Sequence, residues 1–270
     1  MVRCISEFAD VNGTHPPHGE GKPGQLTPSG QSRPLVLIPA YKPAFGLPSI
    51  VRSLLDSGTV EAVIVVDDGS GPESEPVFSK LAGVHGVVLI RRAANGGKGA
   101  ALKTGLAFIA AHYPLCPGIV TADADGQHDP ADIVRIAHAL GENPGDLVLG
   151  VRSFGSGVPL RSRFGNELTR HLFNLLSGQK VTDTQTGLRG IPVDMVPVLA
   201  GLSPNGYDFE LEMLLECRKH QRIIRESAIQ TIYTHGNKSS HFRPLRDSIR
   251  IYAVFLRFIK KSLISAVRSH

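Results

Sequence analysis

Two acidic residues separated by one position follow a short apolar run near the middle of the chain. Asp123 and Asp125 come after Gly118-Ile119-Val120, in the segment Thr121-Ala122-Asp123-Ala124-Asp125-Gly126-Gln127-His128-Asp129-Pro130. The apolar run predicts a buried strand, so both carboxylates leave its carboxyl end and can turn toward one divalent cation. Mg²⁺ and Mn²⁺ take oxygen ligands and often share them between carboxylates and substrate phosphates. The pattern predicts a metal site suited to a nucleoside diphosphate, with an acidic turn and Asx cap as the alternative.

Two further polar loops follow predicted strands earlier in the chain. Pro39-Ala40-Tyr41 follows Leu35-Val36-Leu37-Ile38, and Asp67-Asp68-Gly69-Ser70 follows the strand predicted from Ala62 to Val66. A carboxylate at a strand end can accept hydrogen bonds from a ribose or a base. A plain Asp-Gly turn explains the second loop equally well.

A glycine-rich loop, Asn95-Gly96-Gly97-Lys98-Gly99, lies between a predicted strand at 87–90 and a predicted helix at 97–111. Its amides, the helix dipole and the Lys98 charge favour a bound anion, whereas a simple helix start is the alternative. The loop is not a Walker motif, because Gly99 rather than Ser or Thr follows Lys98. It is not a dinucleotide fingerprint either, because Leu102 stands at the third glycine position.

The elements that must position these loops alternate between short β-branched runs and helical stretches. This alternation predicts an α/β fold with a mostly parallel sheet flanked by helices. Because ligands of such sheets bind beyond the carboxyl ends of the strands, the four loops are expected to line one crevice. Further elements are predicted as a helix at 49–55, a helix at 131–140, a strand at 147–150 and a helix that begins near residue 160.

Composition bounds the class of protein. The 270 residues are 41% hydrophobic and 20% charged, with a net charge of +5, which does not by itself indicate a nucleic-acid partner. The three cysteines are odd in number and widely spaced, which favours a reducing compartment over a disulfide framework or a zinc site. Residues 1–33 are predicted to be a disordered tail, and neither a signal peptide nor a membrane-spanning segment is expected.

Taken together, the four loops resemble glycosyltransferase family 2. Ile38-Pro39-Ala40-Tyr41, Val65-Val66-Asp67-Asp68-Gly69-Ser70, Asn95-x-Gly97-Lys98-Gly99-x-Ala101 and the acidic segment at 123–130 occur in the family's order. The likeness is to the branch that contains dolichyl-phosphate mannose synthase and bacterial polyprenyl-phosphate glycosyltransferases, and it covers residues 34–245. It implies a GT-A fold, an inverting mechanism, a nucleotide-sugar donor and Mg²⁺ or Mn²⁺.

The resemblance also implies roles for individual residues. Asp123 and Asp125 would hold the metal and flank the diphosphate, and Lys98 would stabilise the leaving group. Asp208 and Glu210, at the start of a predicted helix, are weaker catalytic candidates that orient the acceptor or stabilise the helix N-terminus. The nucleotide sugar would be bound by Pro39, Ala40, Tyr41, Asp67, Asp68, Gly69, Gly97, Lys98, Asp123, Ala124, Asp125 and Gln127.

Basic residues in the last 120 positions indicate where an acceptor phosphate is held. Forked guanidinium donors suit a phosphate monoester, although a solvated basic helix start is the alternative. In the polar loop at 182–190, Asp183 and Arg189 could pair beneath the acceptor, or the loop could be purely structural. The candidate acceptor residues are Arg152, Arg161, Arg163, Asn166, His241 and Arg243.

The segment 246–270 is predicted to form an amphipathic helix in a membrane interface. At about 100° per residue its basic residues fall on one side, with Phe255, Phe258 and Ile259 on the other. A helix packed on its own domain, with solvated charges, is the alternative. The predicted location is peripheral, on the cytoplasmic membrane face, with an integral membrane protein as an optional partner.

The expected function is sugar transfer from a nucleotide-diphosphate sugar to a polyprenyl (dolichyl or undecaprenyl) phosphate. Two alternatives stay open: a family 2 transferase acting on a saccharide hydroxyl, and a nucleotide-binding module without turnover.

Overall fold

The computed structural model describes residues 32–152, 160–230, 253–256 and 258, with side chains throughout except at 152 and 160–168. Nearly all of the predicted tail at 1–33 therefore lies outside the described residues, as does most of the predicted C-terminal helix. The strands are β1 Leu35–Ala40, β2 Val63–Asp67, β3 Val87–Arg91, β4 Gly118–Thr121, β5 Leu147–Arg152, β6 Arg189–Pro192 and β7 Ile224–Ile229. The helices are α1 Leu47–Asp56, α2 Glu75–Phe78, α3 Lys98–His112, α4 Pro130–Glu142, α5 Leu160–Ser177, α6 Val196–Ala200 and α7 Asp208–Lys219.

The seven strands form one sheet in the order β3-β2-β1-β4-β6-β5-β7. Strands β3, β2, β1 and β4 are parallel, and Leu37 of β1 lies opposite Ile64 of β2 on one side and Thr121 of β4 on the other. Strand β6 runs antiparallel to both β4 and β5, and β7 is parallel to β5. The carboxyl ends of six strands consequently face the same edge, and the predicted α/β fold with a mostly parallel sheet is confirmed.

The core lies on both faces of the sheet. Alternate residues of β1 point to opposite sides, so that Leu35 and Leu37 join one apolar cluster and Val36 and Ile38 join the other. The first cluster packs against α3, α6 and α7, and the second against α1, α2 and α4. Strands buried on both faces explain why these runs are continuously apolar in the sequence.

Helix α4 begins directly after the acidic segment because of its local sequence. The Asp129 carboxylate accepts a hydrogen bond from the Ala131 amide, and Pro130 occupies the first helical turn, where no amide donor is needed. This cap fixes the point at which the chain leaves the sheet edge. It therefore also fixes where Asp123 and Asp125 can lie.

Strands β6 and β7 are not predicted by the apolar patterns in the sequence. β6 is the short run Arg189-Gly190-Ile191-Pro192, and its first two residues belong to a segment that the sequence suggests is a polar loop. β7 carries Arg225, Glu226 and Ser227 on an edge of the sheet, where polar side chains reach solvent. β6 is recognisable only by its long-range pairing with β4 and β5, and β7 only by its pairing with β5.

Candidate active site

The four predicted loops meet at one edge of the sheet. They follow β1, β2, β3 and β4, which lie side by side and parallel, so their carboxyl ends open into the same crevice. Two further segments border the crevice on its other side: the loop before β6, which contains Gly187, and the start of α7, which contains Glu210. The site therefore combines local segments with segments that are distant in sequence.

Asp123 contacts Lys98, His128 and Gly187 in this crevice. Its Oδ1 lies 2.6 Å from the Lys98 ammonium, and its Oδ2 lies 3.4 Å from His128 Nε2. The carboxylate also packs against Gly187, where an added Cβ would collide with Oδ2. That glycine is held in place by a hydrogen bond of 2.8 Å from Thr121 Oγ1 to its carbonyl. Gly187 and His128 are thus site residues that motif reading did not single out.

Lys98 reaches Asp123 because the start of α3 lies unusually close to the chain before α7. Gly97 has a φ of +95°, a conformation that favours glycine, and an added Cβ would lie 2.5 Å from the Asn205 carbonyl. At Gly99 it would lie 2.6 Å from Phe209 Cβ. The same approach brings Lys98 Nζ within 2.9 Å of Glu210 Oε1. The lack of side chains at Gly97 and Gly99 therefore allows the start of α3 to pack against the start of α7.

These contacts shift the ionisation of the pair. Burial opposes the charge of Lys98, but Asp123 and Glu210 outweigh it and raise the pKa of the ammonium. Burial also disfavours the ionised form of Asp123, yet Lys98 and His128 hold the pKa of that carboxyl well below its usual range. Lys98 is accordingly a charged group wedged between two carboxylates.

Asp125 has a different environment from Asp123. Its Oδ1 accepts a hydrogen bond of 3.0 Å from the Gln127 amide, which closes a tight turn. Burial and the nearby charge of Asp123 raise the pKa of Asp125, and this repulsion is what a bound cation would relieve. The two carboxylates, in the same turn as Gln127, are hard oxygen donors that suit Mg²⁺ or Mn²⁺.

The described residues supply only part of a metal shell. Among the described residues, no group of three or more His, Cys, Asp and Glu side chains is arranged to hold a metal ion. Within that part of the chain, a cation at Asp123 and Asp125 would have these two carboxylates and room for further oxygen ligands. A diphosphate brings such oxygens with it.

The amides of the glycine-rich loop bind a carboxylate of the protein itself. The Asp68 carboxylate accepts hydrogen bonds from the amides of Gly96 at 3.0 Å and Gly97 at 2.8 Å, and Arg92 lies 3.3 Å away. Burial nonetheless raises the pKa of Asp68, although these partners oppose the shift. The amides that the sequence suggested for a phosphate therefore hold the loop against β2. Next to it, Asp67 Oδ1 accepts from the Ser70 amide at 2.9 Å.

Arg189 is the main structural residue of the other half of the site. It is fully buried, and its guanidinium donates to the carbonyls of Thr186 at 2.8 Å, Thr184 at 3.1 Å and Glu210 at 2.5 Å. Arg189 therefore ties the loop carrying Gly187 to the helix carrying Glu210. The charge of Asp183, the predicted partner of Arg189, also acts on this guanidinium, whereas burial lowers its pKa.

The structure brings together the predicted donor-side residues. Pro39 and Ala40 end β1, Asp67 ends β2, and Gly69 has a positive φ that favours glycine. Asp208 and Glu210 open α7, where Asp208 Oδ1 accepts from the Gly206 amide at 3.2 Å. The remaining donor-side candidates, which lie in the loops after β1, β2 and β4, are Tyr41, Asp68, Ala124 and Gln127.

The predicted acceptor residues are placed only in part. Arg152 is the last residue of β5, and Arg161, Arg163 and Asn166 lie in the first turns of α5, all with side chains outside the description. His241 and Arg243 lie outside the described residues. The backbone puts the end of β5 at the same sheet edge as Asp123.

The described part of the C-terminal segment packs on the domain. Val254 and Phe255 are buried in the cluster that contains α7 residues, and Phe258 packs against it, whereas Leu256 is exposed. Phe255, which the predicted interfacial helix would turn toward the membrane, instead has its ring in the protein core, as in the alternative of a helix packed on its own domain. No helix within the described residues is long and apolar enough to cross a membrane.

Comparisons with known proteins agree with this geometry. The model of the family described as glycosyl transferase family 2 matches residues 35–196. UDP-N-acetylglucosamine–dolichyl-phosphate N-acetylglucosaminyltransferase from Methanococcus voltae is 31% identical over 218 residues, covering 74% of this chain and 85% of the relative. Undecaprenyl-phosphate mannosyltransferase from Micrococcus luteus is 26% identical over 204 residues, covering 71% and 81%.

A solved structure shares the fold. Glucosyl-3-phosphoglycerate synthase from Mycobacterium tuberculosis, in complex with Mn²⁺, UDP and glucosyl-3-phosphoglycerate, superposes with a TM-score of 0.63 at 19% identity. The match covers 84% of this chain and 80% of that one. The predicted GT-A type of α/β fold is thereby confirmed.

Proposed function

Since the chain belongs to glycosyl transferase family 2, we propose that it moves a sugar from a nucleotide-diphosphate sugar to a polyprenyl phosphate. The family assignment makes the chain a glycosyltransferase and confirms the resemblance seen in its four loops. The observation that carries the proposal is the pair Asp123 and Asp125 at the end of β4, within a crevice lined by all four loops. The names of the Methanococcus and Micrococcus relatives, which both contain a polyprenyl-type phosphate, support the acceptor.

Asp123 and Asp125 would hold Mg²⁺ or Mn²⁺, with Gln127 beside them. The mycobacterial structural neighbour is described with Mn²⁺ and UDP, and also with Mg²⁺ and UDP. A divalent cation at this position neutralises charge that develops on a departing diphosphate. Lys98, the adjacent cation of the protein itself, would bind the same leaving group.

The reaction proceeds in line, with inversion. An oxygen of the acceptor phosphate forms the new bond to the anomeric carbon, while the bond from that carbon to the β-phosphate oxygen breaks. The electron pair of the broken bond stays on the nucleoside diphosphate. A phosphate monoester is already an anion near neutral pH, so no group has to remove a proton from it.

The start of α7 supports an anionic acceptor over a hydroxyl. Glu210 lies 2.9 Å from the charged Lys98 and is almost fully buried, so its carboxylate already has a partner. Asp208 accepts from the Gly206 amide and is also buried. Carboxylates held in this way suit the positioning of Lys98 and of the helix start better than the deprotonation of an alcohol.

Arg152, Arg161, Arg163 and Asn166 are proposed to hold the acceptor phosphate. Arg152 ends β5, at the same sheet edge as the four donor loops, and the other three residues lie in the first turns of α5. Guanidinium groups bind phosphate oxygens through paired hydrogen bonds, which fixes the direction of attack as well as the charge. His241 and Arg243 are assigned to the same role from their sequence position.

We assign the protein to the cytoplasmic face of a membrane as a peripheral protein, with an integral membrane protein as an optional partner. The burial of Phe255 favours an attachment in which the basic residues of 246–270 meet anionic headgroups without deep insertion of the helix. Such an attachment would hold the site close to an acceptor whose isoprenoid chain stays in the bilayer.

The direct test is a screen of radiolabelled nucleotide sugars with the purified full chain, polyprenyl phosphate and Mg²⁺ or Mn²⁺. We expect label from one donor to enter the organic phase, and none to do so with folded Asp125→Ala protein. Label transferred to a water-soluble saccharide would favour the hydroxyl alternative. Nucleotide binding without consumption of any donor would favour a non-catalytic module.

A further inference from the structure

Lys98 occupies the place of a cation at the candidate metal site. Its ammonium lies 2.6 Å from Asp123 Oδ1 and 2.9 Å from Glu210 Oε1, with about a sixth of the side chain exposed. An ammonium at this distance forms a direct, charge-assisted hydrogen bond with the carboxylate. Asp123, the first of the two proposed metal ligands, is thus neutralised by the protein itself.

The rest of Asp123 is also engaged. Its Oδ2 faces the buried ring of His128 at 3.4 Å and packs against Gly187. The carboxylate cannot rotate away from Lys98 without disturbing these neighbours. A divalent cation that binds Asp123 therefore has to share Oδ1 with Lys98 or displace it, and two positive charges at adjacent positions repel each other.

We propose that Lys98 is an internal counter-ion that competes with the divalent cation for Asp123 and makes tight cation binding depend on a nucleoside diphosphate. This inference rests on the proposed function. The diphosphate offers Lys98 a new anionic partner and gives the cation the oxygen ligands that the described protein residues do not supply. Glu210 stays in contact with Lys98 both before and after the diphosphate and the cation bind. The ammonium therefore exchanges only Asp123 for the diphosphate.

The first experiment measures Mn²⁺ binding to the full chain without nucleotide, from the spin-resonance signal of free Mn²⁺. We expect Lys98→Met to bind Mn²⁺ at least about tenfold more tightly than the wild type, because the competing charge is gone. Lys103→Met is the matched control. It removes the same charge from the same helix, but the Lys103 ammonium contacts the carbonyls of Leu202 and Ser203.

A double variant distinguishes competition between Lys98 and Mn²⁺ from an effect of the protein's net charge or of lost folding stability. Lys98→Met leaves Glu210 buried without its cation, whereas Lys98→Met with Glu210→Gln removes the pair and keeps the net charge constant. We expect the double variant also to bind Mn²⁺ more tightly than the wild type. Adding Asp125→Asn to it should abolish the gain, which would assign the effect to this site rather than to other histidines or acids.

The second measurement is the affinity for UDP with and without Mn²⁺, by calorimetry. The factor by which Mn²⁺ strengthens UDP binding should be smaller in the double variant, because no counter-ion has to be moved first. Equal coupling factors, or Mn²⁺ binding no tighter in either variant than in Lys103→Met, would overturn the inference. Since these readouts need no sugar transfer, they would leave the proposed function standing; a wild type without any sugar transfer would refute that function instead.

Discussion

The two halves of the sheet are built in different ways. One half consists of the parallel strands β3, β2, β1 and β4. Each of these strands is followed by a loop whose polar residues predict ligand binding from the sequence alone. The other half combines β6, β5 and β7 in mixed directions, and it is held together by Arg189 and the loop around Gly187. The half made of β1–β4, which we propose binds the donor and call the donor half, thus carries charged groups on local turns. The half made of β5–β7, the proposed acceptor half, places them through long-range contacts.

The largest expected effect comes from the donor half. Asp125→Ala removes a proposed metal ligand and should reduce sugar transfer by about a thousandfold or more, with the fold intact. Asp129→Ala is the control, because it removes a nearby carboxylate that only caps α4 and should cost about 0.5–2 kcal/mol of stability. Initial rates and thermal unfolding of both variants give the comparison. Full activity of Asp125→Ala, or of the wild type in EDTA, would contradict the metal assignment.

Next is the residue that holds the acceptor half together. Arg189→Met leaves three buried carbonyls, those of Thr184, Thr186 and Glu210, without their donor, and should cost about 3–5 kcal/mol of unfolding free energy. Arg91→Met is the matched control on β3, where an exposed pair with Glu75 should cost about 1 kcal/mol or less. Denaturant titration measures both, and similar costs would mean that Arg189 is not the structural centre of its half.

The sequence predicts the donor half well because the necessary signals are local. The strand ahead of Asp123 and the glycine-rich loop before α3 are each read from a few neighbouring residues. The contact between Lys98 and Glu210 is not predictable in this way, since it joins two helix starts more than a hundred positions apart. The glycines at 97 and 99 indicate that another segment packs closely against this loop. Only the fold shows that this segment is the chain before α7 and its first turn.

One donor-side prediction gains a second interpretation from the structure. Asp68 is one of the residues predicted to bind the nucleotide, and its carboxylate accepts hydrogen bonds from the amides of Gly96 and Gly97. A sequence motif does not distinguish an acidic residue that binds a ligand from one that stabilises a loop by hydrogen bonds. Strand β6 escapes prediction for a related reason, because Arg189 looks like a surface residue until its carbonyl partners are known.

A smaller effect is expected from the basic start of α5. Arg161→Ala and Arg163→Ala should each raise the KM for the lipid phosphate roughly ten- to a hundredfold, as loss of a charge-assisted hydrogen bond costs about 1.5–3 kcal/mol. Donor affinity should change little. Steady-state kinetics with each substrate varied in turn provides the measurement. Weakened nucleotide binding with unchanged acceptor KM would place these arginines in the donor half instead.

The smallest effect per residue concerns the C-terminal segment. Because Val254 and Phe255 belong to the core, the test replaces charges rather than deleting the helix. Changing Arg250, Arg257, Lys260 and Lys261 to Gln should weaken sedimentation with anionic liposomes by about 1 kcal/mol per residue at low salt. Arg52→Gln with Lys80→Gln is the control on another surface. Binding that ignores both salt and these changes would exclude an electrostatic attachment.

The central claim is that the acceptor is an anion that needs no base. It is tested most directly by offering the enzyme undecaprenyl phosphate and undecaprenol, which differ only in the phosphate, with the donor identified in the screen. We predict that labelled sugar appears on the phosphate alone, and that Glu210→Gln slows this transfer through its effect on Lys98 without abolishing it. Transfer to the alcohol at a comparable rate, lost completely in Glu210→Gln, would contradict the account.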